Sequence, residues 1–139
     1  MGYLIDTCVW IDVEDGTISA ADLADITGDH EVFVSPVTIA EMRHGIEITP
    51  PGPLRTKRLA LFQRIERLPC MPIDDSTGQI FGIIASQVEL AGRKVRTRTQ
   101  DLWIAAQAIQ YNYKLITRNG KDFQHIPGLE LVNIPIPAQ

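Results

Sequence analysis

A chain of 139 residues, 45% hydrophobic and 22% charged, has the length of about one domain and an ordinary globular composition, enough to bury a core without staples. Its formal net charge of -4 argues against a broadly nucleic-acid-coating surface while leaving room for a local basic patch. No apolar run approaches the roughly 20 residues of a membrane span, no charged-then-apolar leader opens the chain, and its two cysteines, Cys8 and Cys70, are far apart. Together these lead to the expectation of a reduced, cytoplasmic protein with no membrane partner.

In chain order, Leu4-Ile5-Asp6 reads as a strand that ends on a carboxylate, and Thr7 to about Val13 as the short helix after it. Asp15-Gly16 is a turn, Ser19 an N-cap, and a helix runs from there to about Thr27. Val32-Phe33-Val34 is a buried strand. Ser35-Pro36 then supplies an N-cap and a first helical residue, because proline lacks only an N–H that has no partner there. The helix from Pro36 to about Ile48 has two apolar sides, Ile39, Met42 and Ile46 on one and Val37, Ala40 and Ile48 on the other. Glu41 falls beside Val37 and Ile48, so it should be partly buried and in need of hydrogen bonds or a cation to stay charged.

Thr49-Pro50-Pro51-Gly52-Pro53 is a rigid connection within one domain, residues 1–139. A helix from about Leu54 to Leu68 follows, then a strand over Leu68 to Ile73. Ser76 with Gln79 has capping-box spacing, which makes Asp74 and Asp75 helix-start residues rather than ligands, and that helix ends at Gly92. Arg93 to Arg98 is the densest basic run, leading into Thr99 as N-cap and Asp101 at the second helical position. Lys114 to Thr117 is a strand, Arg118 to Phe123 its exit loop, and Leu129 to Ile134 a last strand. Short apolar strands alternating with helices predict an α/β fold with a mainly parallel sheet covered on both faces.

Each acid alone has a bland explanation: Asp6 as a cap, Asp101 favoured by the helix dipole, Asp122 as a loop residue. Together, an acid at a strand end, one inside an apolar helix, one at a helix start and one past another strand are able to meet on one side of a parallel sheet. Converging carboxylates must hold protons or share a cation. Oxygen ligands without His or Cys suit Mg²⁺ or Mn²⁺, and such an ion supports phosphodiester hydrolysis.

Four segments also resemble the signature segments of PIN-domain ribonucleases, most closely the VapC and FitB type toxins. They are Leu4-Ile5-Asp6-Thr7-Cys8-Val9-Trp10-Ile11, Ser35 to Gly45, Asp101-Leu102-Trp103-Ile104-Ala105-Ala106-Gln107-Ala108 and Thr117-Arg118-Asn119-Gly120-Lys121-Asp122-Phe123. The resemblance implies a PIN-like three-layer α/β/α sandwich and an Mg²⁺- or Mn²⁺-dependent endoribonuclease acting on RNA. It makes Asp6, Glu41 and Asp101 the first three acids of the site. The usual fourth position holds Asn119, with Asp122 three residues on, and both are retained as candidates. Thr7 and Arg118 are further candidates for holding water and substrate, and Arg96 and Arg98 for touching RNA. The implied partners are a DNA-binding VapB-type antitoxin on a separate chain, its C-terminal segment lying over the acids, and a second toxin chain in a homodimer that forms a hetero-oligomer with it.

Two rival readings have distinct marks. Asn119 at an acidic position favours a catalytically weak regulatory module of the same fold. A receiver-like or phosphatase reading of Asp6 is opposed by Cys8, which stands where a second Asp is needed.

Overall fold

Four strands pair side by side in the order β2-β1-β3-β4, all parallel: β1 (Gly2–Ile5), β2 (Glu31–Phe33), β3 (Lys114–Thr117) and β4 (Leu131–Asn133). The structure, a computed structural model, describes residues 2–134, the side chain of Thr97 excepted. With β1 and β3 central and Ile5 opposite Ile116, their carboxyl ends emerge together. The Asp6 N–H continues the ladder, donating to the Ile116 carbonyl at 2.9 Å.

Alternation along the strands sends neighbouring side chains to opposite faces. Leu4 and Leu115 enter a core with Ile84 and Val88 of α5 (Asp75–Leu90) and Leu102 and Ala105 of α6 (Thr99–Tyr111). Ile5 and Ile116 enter another with Val9 of α1 (Thr7–Asp15) and Leu23 of α2 (Ala20–Thr27). This is the three-layer α/β/α arrangement expected from the sequence. A third cluster joins α3 (Pro36–Glu47) to α4 (Pro53–Ile65) through Met42, Ile46, Leu61, Phe62 and Ile65, with Val34 at its base and Trp10 and Val13 of α1 against it. That cluster holds the helix bearing Glu41 against the helix that follows Asp6. Among the described residues no helix is long and apolar enough to cross a membrane.

Local chemistry sets the boundaries. Ser35 accepts from the Val37 N–H at 3.1 Å with Pro36 next, as expected. Ser19 and Asp22 form a reciprocal capping box. Gly16 ends α1 at φ 84, a left-handed conformation that costs glycine little.

Four expectations are corrected. Leu68 to Ile73 is not a strand: a single bridge joins Val34 to Cys70, because Pro69 and Pro72 have no N–H to extend it. The box opening α5 is Asp74 with Thr77, two residues before the Ser76 and Gln79 pair, since the Asp74 carboxylate reaches the Thr77 N–H at 3.2 Å and the Thr77 hydroxyl accepts from Asp74. Thr99 is the first residue of α6 rather than its cap, because a 3-10 turn, Arg96–Arg98, runs directly into the helix; Asp101 is therefore its third residue. The exit of β3 is not all loop, for Gly120–Phe123 forms a one-turn helix, α7.

Candidate active site

Asp6 stands at the carboxyl end of a central strand and caps α1. It is 5% exposed. Its Oδ1 accepts from the Thr7 N–H at 2.8 Å, and its Oδ2 from the Thr117 hydroxyl at 2.9 Å and the Cys8 thiol at 3.3 Å. Burial pushes its pKa up; these hydrogen bonds oppose the shift, and the Asp122 charge adds to it. Cys8 is thus a half-buried packing residue behind Asp6. Burial, with Asp6 beside it, pushes its thiol to about 11, so it is no nucleophile at neutral pH.

Glu41 is reached through hydroxyls. Thr7 Oγ1 donates to Glu41 Oε1 at 2.8 Å and lies 2.9 Å from Thr38 Oγ1. A hydroxyl has one proton, so Thr38, fully buried, donates to Thr7, and Thr7 to Glu41. Burial raises the Glu41 pKa, the Thr7 bond opposes that, and the Asp6 charge adds to it. Asp101, near the start of α6, is pushed up to about 6, by burial first and then by the charges of Asp6, Asp122 and Glu41, with Arg98 pulling the other way. Four acids from four separate elements therefore lie close enough to feel one another.

Asp122 differs from the other three in having a cation. Arg98 Nη1 donates to its Oδ1 at 3.1 Å and to its carbonyl at 3.3 Å. Asn119 is exposed; its N–H donates to Thr117 Oγ1 at 3.0 Å, and its side chain does not cap α7. Of the two candidates for the fourth position, Asp122 is the one whose charge reaches Asp6 and Asp101. Arg96 is exposed on the 3-10 turn. Arg118 does not reach toward the acids: its Nη1 donates to Asp12 Oδ1 at 2.7 Å.

Sequence reasoning missed Thr38 and Thr117, the fully buried hydroxyls that orient Thr7 and Asp6. Thr117 had one readable signal, a hydroxyl on the last residue of a strand expected near the acids. It also missed the buried link from Ser35 Oγ to Gln107 Oε1 at 2.5 Å and from Gln107 Nε2 to the Met71 carbonyl at 2.6 Å, which ties the start of α3 to α6.

The donor set fits a hard divalent ion: carboxylate oxygens that raise one another's pKa and are oriented by hydroxyls and a thiol rather than neutralised by lysines. Among the described residues no group of three His, Cys, Asp or Glu side chains stands close enough together to hold a metal ion by itself. An ion that keeps several of its own waters, as Mg²⁺ does, suits so open a set. A groove of about 510 Å³ leads away from the acids. It starts at Thr7, Glu41 and Gln100, passes over Ile11, Ala40 and Gly45 between α1 and α3, and ends at Glu14 and Arg58, which pair at 3.1 Å.

A family model for the PIN domain matches residues 3–129. The chain is 28% identical to Ribonuclease VapC of Rickettsia bellii over 98% of each chain. It is 30% identical to Ribonuclease VapC5 of Mycobacterium tuberculosis over 94% of this chain and 92% of that one. Among solved structures it is similar to VapBC-5 of Mycobacterium tuberculosis, a member of the VapBC family of toxin–antitoxin systems, with a TM-score of 0.78 at 26% identity over 96% of this chain and 100% of that chain.

Proposed function

Because this chain belongs to the PIN-domain family and to its VapC ribonuclease branch, we propose that it is the toxin of a type II toxin–antitoxin pair, an endoribonuclease that hydrolyses RNA with Mg²⁺ or Mn²⁺. The observation that carries the proposal is the coupling of Asp6, Glu41, Asp101 and Asp122 at the carboxyl end of a parallel sheet, where each of the first three is pushed toward its protonated form.

Asp6, Glu41 and Asp101 would hold the metal, with Asp122 adding charge and Asn119 offering an amide oxygen at the rim. A divalent ion supplies Lewis acidity toward the phosphodiester and lowers the pKa of water. The chain's own residues supply orientation. Thr117 and Cys8 fix Asp6, and Thr38 fixes Thr7, which fixes Glu41. Arg98 sits where a backbone phosphate passing the acids would meet a guanidinium, and exposed Arg96 lengthens that basic edge.

The antitoxin segment belongs in the groove between α1 and α3, whose apolar floor opens directly onto Glu41. An arginine from it would pair two of the carboxylates. A complex with no antitoxin side chain among the acids would sink that part of the proposal. Two toxin chains with their antitoxins form the hetero-oligomer, a stoichiometry that a mass measurement reads directly.

The test compares the unmodified protein with Asp6→Asn and Asp101→Asn on a mixed RNA pool with Mg²⁺, Mn²⁺ or EDTA. Cleavage by the unmodified protein alone, stopped by EDTA, is the expected result. Equal inertness of all three folded, antitoxin-free proteins, with no effect on growth when the chain is expressed without its partner, would favour the regulatory module instead.

A further inference from the structure

At the exit of β3 lies an ion pair, its carboxylate buried and its guanidinium partly exposed, to which no step above assigns a role. Asp12, one turn further along α1 than Cys8, is 1% exposed, and its Oδ1 accepts from Arg118 Nη1 at 2.7 Å. The pair is incompletely bonded, because Asp12 Oδ2 and Arg118 Nε are both buried without a partner. A buried pair offsets the desolvation of its two charges only when geometry is good and the remaining lone pairs and protons are bonded. This one is a poor source of stability, so its value is to be sought in what it aligns.

Arg118 meets α1 at two places. Its guanidinium bonds to Asp12, and its backbone N–H faces the Cys8 thiol, opposing the rise of that thiol's pKa; the two residues are four apart and hence on one side of the helix. Both places lead to the acids. Cys8 donates to Asp6 Oδ2, and the residue just before Arg118, Thr117, donates to the same oxygen. The first residue of α1, Thr7, donates to Glu41. A small slide or rotation of α1 along the exit of β3 would draw Thr7 from Glu41 and, in the same movement, Thr117 from Asp6.

We propose that Asp12 and Arg118 are positioning residues of the ribonuclease site: their ion pair locks α1 against the exit of β3 and so holds Asp6 and, through Thr7, Glu41 in the arrangement that takes the divalent ion. The inference rests on the ribonuclease reading of those acids. It also reassigns Arg118, since a guanidinium held by Asp12 is not the group that neutralises a scissile phosphate.

The test uses Asp12→Asn, Arg118→Gln and the double variant, each checked for folding by circular dichroism. Mn²⁺ affinity is read by electron paramagnetic resonance, and kcat and KM on RNA with Mg²⁺. Each single variant should lose about 10- to 100-fold in Mn²⁺ affinity and kcat, the range seen when the support of a metal ligand is removed, with KM within about twofold. The double variant should lose no more than the worse single, because the two residues act as one unit. If a single variant fails to fold, the double, which leaves no lone buried charge, is read in its place.

Folded variants with unchanged Mn²⁺ affinity and kcat but a lower Tm would overturn the proposal in favour of a merely structural pair. A raised KM and a shallower salt dependence confined to Arg118→Gln would overturn it in favour of a phosphate contact. Absence of cleavage by the unmodified protein would instead overturn the ribonuclease reading, and Mn²⁺ affinity would still decide whether the pair positions the acids.

Discussion

Replacing Asp101 with asparagine should stabilise the metal-free protein while ending cleavage. The group is pushed to about 6 from an ordinary 3.8, a displacement of about two units. At about 1.4 kcal/mol per unit the ceiling is about 3 kcal/mol of unfavourable energy near neutrality. Asp101 is only half-buried, and solvent screening reduces this to about 1 kcal/mol, or about 3–4 °C in Tm for a chain of this size. The sign follows from proton linkage. The folded-state pKa lies above the unfolded one, so between the ordinary carboxylate range and about 6 the folded chain holds a proton that the unfolded chain has lost. Stability therefore falls as pH rises through that window, and the penalty is complete above it. Urea denaturation in EDTA should find Asp101→Asn the more stable protein at pH 7.5, with the difference vanishing near pH 4. Added Mg²⁺ should stabilise the unmodified protein by mass action and the variant less. A variant less stable than the parent in EDTA at pH 7.5, or a difference that does not change with pH, would refute the premise that burial and the neighbouring acids hold Asp101 above its ordinary pKa.

Three further outcomes follow from single groups. Thr117→Val removes a fully buried hydroxyl that both donates to Asp6 and accepts from Asn119. It should cost about 1–3 kcal/mol in urea denaturation and about tenfold in kcat. Gly120→Ala would place a methyl 2.6 Å from Oδ1 of the exposed Asn133, the atom that accepts the Gly120 N–H at 2.9 Å; that side chain must turn away and give up the bond, so a loss of about 1 kcal/mol or less is expected by the same assay. In thiol titration of the native protein at pH 8, exposed Cys70 should react quickly and Cys8, held at about 11, only on unfolding.

What was legible in the sequence was whatever local chemistry decides. Ser35-Pro36 marks the start of α3 within three residues, Lys114 to Thr117 forms the strand its apolar run suggests, and Asp6 stands where a strand must end. The segment resemblance added the shared destination of the acids, which no single acid reveals. Leu68 to Ile73 misled because its residues have strand character while two prolines strip it of donors. The partners of Arg118 and Thr117 were illegible for a different reason. Asp12 lies 106 residues from Arg118, and Asp6 lies 111 from Thr117. Only the pairing of β1 with β3 brings those residues together, and one sequence carries no mark of which distant side chain a buried hydroxyl or guanidinium will meet.

The polar groups turned toward the acids are unequal in kind. Hydroxyls of Thr7 and Thr117, the Cys8 thiol and the Thr7 N–H give direction without charge. Among the described residues the guanidinium hydrogen-bonded to one of the four acids is that of Arg98, on Asp122, while Arg118 is held away by Asp12. Asp6 and Glu41 are thus oriented by the chain, and none of Asp6, Glu41 and Asp101 is hydrogen-bonded to a cation among the described residues, so burial first and then one another's charges raise their pKa values together. The balancing charge must come from outside. Under the proposed function a divalent ion would supply it in a form that cuts RNA, and an antitoxin's arginine in a form that does not. On this reading catalysis and inhibition compete for the same deficit, so raising Mg²⁺ should weaken the hold of an antitoxin's arginine, whereas an antitoxin variant lacking that arginine should bind with little dependence on the ion.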